Sequence, residues 1–86
     1  MYAIIVYDTP SKNCSRLHKT LKRFLNWNQN SVFEGEVTEA QLFDIKKLLQ
    51  EKRAEGSSII VYELKEPKNL KRTIIGDPKG NRSNVI

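Results

Sequence analysis

Cysteine is nearly missing: Cys14 is the only one among 86 residues. One thiol closes no disulfide within the chain and builds no zinc site, which fits a reducing cytoplasm. Histidine is as scarce, with His18 alone. No HExxH, paired-cysteine or glycine-rich phosphate-loop pattern occurs, so zinc-protease, zinc-finger and P-loop chemistry are left out. No apolar run approaches the ~20 residues that span a bilayer. Met1 leads straight into an apolar strand with no basic leader, so neither a signal peptide nor a membrane span is expected. Acidic charge is locally missing too. Between Asp8 and Glu34 there is no Asp or Glu, while Lys12, Arg16, Lys19, Lys22 and Arg23 all fall there.

What is present is positive charge, unevenly placed. Fifteen Lys and Arg against ten Asp and Glu give a formal charge of +5. Residues 38–55 are balanced, and Lys65, Lys68, Lys71, Arg72, Lys79 and Arg82 make the C-terminal part basic again. A solubilising surface explains an isolated charge run. Segregation onto one stripe points instead to a polyanion. A chain this short makes one domain with a small core, for which self-association is a sensible expectation.

Periodicity supplies the elements. Residues 2–7, Tyr-Ala-Ile-Ile-Val-Tyr, read as a strand buried on both faces and central in its sheet. Asp8-Thr9-Pro10 ends it. A helix is expected from Ser11 or Lys12 to Phe24 or Leu25, with Ser11 as N-cap. Cys14, Leu17, Leu21, Phe24 and Leu25 fall on its apolar side, and Lys12, Arg16, Lys19 and Arg23 form a stripe opposite. Residues 26–37 read as two short strands with a tight turn near Asn30; Phe33, Gly35 and Val37 share one face, and Val32, Glu34 and Glu36 the other. Thr38 and Gln41 match a capping box. Leu42, Ile45, Leu48 and Leu49 make the buried side of the second helix, which is expected to end near Glu55 with Gly56 as stop. Phe43 lies off that side. Residues 58–64 are another strand, 66–69 a break, and 71–75 a fifth extended piece.

This order is an α+β, ferredoxin-like βαββαβ arrangement with an extra C-terminal strand. It is expected to occupy 1–76, with 77–86 a tail ordered by a partner. Right-handed crossovers put both helices on one sheet face. The other face is left bare, suited to a homodimer packed through the sheet face, with the spare strand extending the partner's sheet.

Asp8 is the first candidate for chemistry. A lone Asp after a strand often does no more than end it. A carboxylate beside a basic helix also suits Mg²⁺, which keeps several waters and takes other ligands from phosphate. In a two-fold dimer two copies of Asp8 could share such a site. His18, at the flank of the apolar helix side, reads as a partly buried structural histidine, and Cys14 as core. Tyr7, Trp27 and Phe33 could stack on bases or simply fill core and interface. The stripe of Lys12, Arg16, Lys19 and Arg23 suits phosphate contacts, which give affinity without sequence preference.

Residues 2–8, ending in Val-Tyr-Asp, resemble the opening of the CRISPR-associated Cas2 family. So does Gln29-Asn30-Ser31-Val32-Phe33-Glu34-Gly35-Glu36-Val37, and Ile74-Ile75-Gly76 and Ser83-Asn84-Val85 resemble the ends of family members. The resemblance implies a homodimer that bridges integrase dimers during spacer acquisition, and a metal-dependent endoribonuclease, some members cutting DNA. It puts the catalytic and Mg²⁺-binding role on Asp8. Tyr7, Arg16, Ser31 and Phe33 match other positions of the family's site, so Ser31 and Phe33 join the basic stripe as nucleic-acid-binding residues. The implied partners are a second copy, the CRISPR integrase, and double-stranded DNA or single-stranded RNA. Trp27 stands where a basic residue is common, and Asn26-Trp27-Asn28 where a glycine is usual; the lost basic residue weighs against strong cleavage more than against DNA binding. The alternative is a stand-alone, toxin-like ribonuclease of the same fold.

Overall fold

The computed structural model describes residues 1–76; the expected tail 77–86 lies outside them. Six elements follow in the expected order: β1 (Tyr2–Asp8), α1 (Ser11–Lys22), β2 (Asn26–Gln29), β3 (Val32–Glu36), α2 (Glu39–Lys52) and β4 (Ser58–Leu64), then one 3-10 turn at Pro67–Asn69. The strands form one sheet in the order β2-β3-β1-β4. β1 pairs antiparallel with both β3 and β4. Each helix therefore carries the chain over one intervening strand, the ferredoxin-like βαββαβ topology.

The core lies between the sheet and the helices. Ala3, Ile5 and Tyr7 of β1 and Phe33 of β3 meet Leu17 and Leu21 of α1 and Leu42, Ile45 and Leu49 of α2. Phe33, Ile5, Leu17, Leu21 and Ile45 are the largest fully buried side chains; each stabilises the fold by about 1.5–3 kcal/mol through burial. Leu25, in the link from α1 to β2, closes over Gly35, where a Cβ would come within 3.3 Å of the leucine Cδ2.

Several expectations are corrected. β1 is central, but only its odd residues are buried; Tyr2, Ile4 and Val6 stay partly exposed because both helices pack on the other face. β1 also runs one residue further than expected, with Asp8 paired to Ser58. Ser11 is not the N-cap: Pro10 is, without a side-chain cap, and its carbonyl accepts from the Asn13 N–H at 2.8 Å. The buried side of α1 holds Asn13 and Thr20 with Leu17 and Leu21, while Cys14 and Phe24 are only half-buried. Leu48 is likewise half-buried, and Phe43 is 67% exposed. α2 ends at Lys52, with Arg53 as C-cap in extended conformation, three residues before Gly56. Gly56 serves the following turn instead, with φ +84°.

The local signals that depend on few atoms agree with the structure. The capping box forms with Gln41 N–H donating to Thr38 Oγ1 (3.0 Å) and Thr38 N–H to Gln41 Oε1 (2.9 Å). Asn30 takes φ 44° in the β2–β3 turn, an angle that Asn tolerates better than most residues. The fifth extended piece expected at 71–75 forms no strand among the described residues; its expected pairing was with a second copy.

Candidate nucleic-acid interface and its carboxylate

The site starts from strand parity. Side chains alternate along a strand, so Asp8 shares the helix-free face with Tyr2, Ile4 and Val6. The neighbouring strands add Val32 beside Val6, Ile60 beside Val6, and Tyr62 beside Ile4. Ile60 and Tyr62 are 48% and 53% exposed. Asp8 is thus an exposed carboxylate at the rim of an open apolar face. Two residues later α1 begins.

All four residues of the basic stripe, Lys12, Arg16, Lys19 and Arg23, are exposed. They cover about 16 Å along the helix axis at ~1.5 Å per residue, with no acid in the helix to neutralise them. Arg23 also lies over the Phe24 ring at 5.3 Å. The stripe begins near Asp8, because Lys12 is in the first turn of α1.

Ser31 sits at the same end of the sheet. Its carbonyl accepts from the Tyr7 N–H at 3.1 Å, beyond the last β1–β3 pair. The Tyr7 phenol is driven upward by burial, then by the nearby Cys14, and is held back by a hydrogen bond with Ser31. Phe33 does not reach the surface: it is 0% exposed. Its ring lies 6.3 Å from Tyr7 and 5.1 Å from His18, which also meets Trp27 edge-on at 5.2 Å. Phe33 and Tyr7 are therefore core, with no face for a base. His18 is the structural histidine expected. Trp27 is tied down as well, its Nε1–H donating to the Asn30 carbonyl at 3.0 Å.

Two polar clusters escaped the sequence reading. In the first, Asn13 Nδ2 donates to Thr9 Oγ1 (3.2 Å) and to the Lys52 carbonyl (3.4 Å), and Thr9 Oγ1 meets Ser57 Oγ at 2.6 Å. A signal existed: Asn13 lies one turn before Leu17 on the buried side of α1. In the second, Arg72 pairs with Glu34 and donates to Asn28 Oδ1 at 2.8 Å. Tyr2 donates to Glu34, and its pKa is pushed up to about 12, first by burial and then by the glutamate charge. Glu34 is only 6% exposed. Its signal was weaker, an acid alternating with Val32 and Glu36 on a strand face of unknown burial. Because Glu34 and Asn28 lie on β3 and β2, the chain after β4 passes back toward the far side of the sheet.

Among the described residues no three His, Cys, Asp or Glu side chains gather to hold a metal. At this rim a single chain contributes the Asp8 carboxylate. That donor set suits a hard cation that keeps its waters and takes phosphate oxygens, as Mg²⁺ does, and does not suit a closed zinc centre. No helix among the described residues is long and apolar enough to cross a membrane.

Comparison with known proteins agrees with this geometry. Residues 1–72 match the family model described as CRISPR associated protein Cas2. A CRISPR-associated endoribonuclease Cas2 of Methanosarcina acetivorans is 41% identical over 87 aligned residues, covering 100% of both chains. One of Methanocaldococcus jannaschii is 40% identical, covering 100% of this chain and 76% of the relative. Among solved structures, a Cas2 crystal structure superposes with a TM-score of 0.83 at 40% identity, covering 92% of this chain and 90% of the other. Streptococcus pyogenes Cas2 does so at 0.72 and 30% identity, covering 86% of this chain and 99% of the other. With one family matched over nearly all of the described fold, this chain belongs to the CRISPR-associated Cas2 family.

Proposed function

We propose that two copies of this chain pack through their open sheet faces, that the α1 stripes bind the phosphates of a nucleic acid, and that the Asp8 pair at the rim serves phosphodiester cleavage of RNA. The observation that carries this reading is the placement of Asp8. It is exposed, it ends the central strand, and it stands on the same face as the apolar patch of Ile4, Val6, Val32, Ile60 and Tyr62. Covering that patch with a second copy removes apolar surface from water. A two-fold axis through it would bring two rim carboxylates toward one another.

The relatives named endoribonucleases support cleavage. Asp8 would hold Mg²⁺, and the ion, when bound, polarises a phosphate oxygen and supplies an activated water. The chain's own part is different. Lys12, Arg16, Lys19 and Arg23 hold the backbone without reading bases, and the sheet edge fixes Asp8 beside it. Ser31, half-buried at that edge, can reach a bound strand; Phe33 supports it from within the core. In the CRISPR setting the same dimer acts as the bridge between integrase dimers on double-stranded DNA.

Asp8→Ala separates the two roles. It should abolish cleavage of single-stranded RNA while dimer mass and DNA affinity stay as in the parent. Undiminished cleavage by Asp8→Ala would remove the enzymatic half of the proposal. A 10 kDa species by sedimentation at micromolar concentration, the mass of one chain, would remove the dimer.

A further inference from the structure

The Asp8–Ser58 pair is the last rung of the β1–β4 ladder. The residues immediately beyond it on each strand are Thr9 and Ser57. They do not pair through the backbone; their hydroxyls meet at 2.6 Å. The ladder is thus continued by one rung made of side chains. Asn13 holds that rung from the helix side, donating to Thr9 Oγ1 and to the Lys52 carbonyl at the end of α2. Its side chain is 7% exposed, in a position of α1 that otherwise takes Leu17 and Leu21. A buried amide left without partners costs about 1–3 kcal/mol, so an apolar residue would be the simpler filling if packing alone were at stake.

We propose that Asn13 and Thr9 are positioning residues for Asp8, an inference that rests on the role given to Asp8 above. Thr9 is covalently next to Asp8 and its side chain is anchored on the helix side, while the Asp8 carboxylate points to the open face. Clamping Thr9 fixes the backbone from behind and so sets the direction of the Asp8 carboxylate at the rim. The clamp joins the β1–α1 link, the start of α1, the end of α2 and the start of β4. A change at any of these four places reaches Asp8 through Thr9, whose hydroxyl meets both Asn13 and Ser57.

The test uses the full chain with Thr9→Val, Thr9→Ser, Asn13→Ala, the double Thr9→Val/Asn13→Ala, and Asp8→Ala as reference. Three quantities are read: kcat and KM on single-stranded RNA, Mn²⁺ affinity by electron paramagnetic resonance without nucleic acid, and unfolding by urea. Thr9→Val keeps the shape and removes the hydroxyl; Thr9→Ser restores it. Thr9→Val and Asn13→Ala should each lower kcat and Mn²⁺ affinity about 10–100-fold, as loss of the hydrogen bonds around a ligating carboxylate does. KM should stay put, because the basic stripe is untouched. The double variant should fall no further than the worse single variant, since both act through Thr9, and Thr9→Ser should recover the parent values. Parent-like kcat and Mn²⁺ affinity in Thr9→Val, with Asp8→Ala inactive, overturn the positioning role alone. A loss that tracks urea stability, with Thr9→Ser as poor as Thr9→Val, overturns it too. If Asp8→Ala itself cleaves and binds Mn²⁺ like the parent, the reading of Asp8 fails and this proposal with it.

Discussion

Replacing Lys12, Arg16, Lys19 and Arg23 together by alanine tests how the protein holds nucleic acid. All four side chains are exposed on one side of α1, and they span about 16 Å, roughly five steps of 3.4 Å along one strand of a duplex. Neighbouring cations are about 5 Å apart along the axis, so one helix engages at most four phosphates. With Z of four, the slope of log K against log salt is about −3.6 for duplex DNA and about −2.8 for a single strand. A fourfold rise in salt, from 50 to 200 mM, then weakens binding about 150-fold or about 50-fold respectively. The quadruple variant should lose that part of the slope, and Arg16→Ala alone about 0.9 of it on duplex DNA. Fluorescence anisotropy at four salt concentrations, on two unrelated sequences, measures slope and sequence preference together. A slope near twice the single-helix value indicates that both copies lay α1 on one duplex. Exposed positions of this kind change stability by within about 0.5 kcal/mol, with Arg23 adding up to about 1 kcal/mol for its contact with Phe24. If the quadruple variant keeps the parent slope, α1 is not the phosphate-binding element.

The buried cluster on the other side of the sheet gives two further expectations. Arg72→Ala leaves the Glu34 carboxylate buried without its main counter-charge, which costs about 3–5 kcal/mol in a closed site; with the Arg72 side chain 17% exposed, about 2–4 kcal/mol is expected. At an m-value near 1 kcal/mol/M this moves the urea midpoint by about 2–4 M, and a shift under 0.5 M would show that the pair adds nothing. The phenol of Tyr2 titrates at about 12 in the fold against 10.0 ordinarily. Between those values the unfolded chain has released this proton and the folded chain has not. Stability from this group is therefore whole below pH 10 and declines as pH rises toward 12. Tyr2→Phe should lose this decline, seen as a flatter dependence of unfolding on alkaline pH. Glu34→Gln should bring the Tyr2 titration down and Arg72→Ala should raise it further, since the glutamate charge pushes the phenol up and the guanidinium draws it down.

The elements were legible where the deciding forces are local. The Thr38–Gln41 box, the Asn30 turn and the alternation of Val32 to Val37 each depend on a few neighbouring atoms, and each is found as expected. The basic stripe was legible for the same reason, as helical spacing alone puts positions 12, 16, 19 and 23 on one side. Element ends were harder. α2 stops at Lys52 although residues 53–55 carry no breaker, because Arg53 turns extended and donates to the Ser57 carbonyl at 3.1 Å. Phe33 shows the limit for the site. Its strand position and the family resemblance both left it available to a ligand, and only packing against His18 and Tyr7 shows that it is enclosed.

The sequence by itself determined the order of elements through β4, the basic side of α1, the charge segregation and the place of Asp8 at the end of β1, because all of these follow from periodicity along a single chain. Only the tertiary structure decided which polar residues become partners. Asn13 and Thr9 are four positions apart, but Ser57 is 48 residues from Thr9, and Arg72 is 44 from Asn28. No spacing rule joins such residues. The crossover topology brings β4 beside β1 and returns the chain to β2 and β3, and those two placements create the clamp behind Asp8 and the ion pair of Arg72 with Glu34.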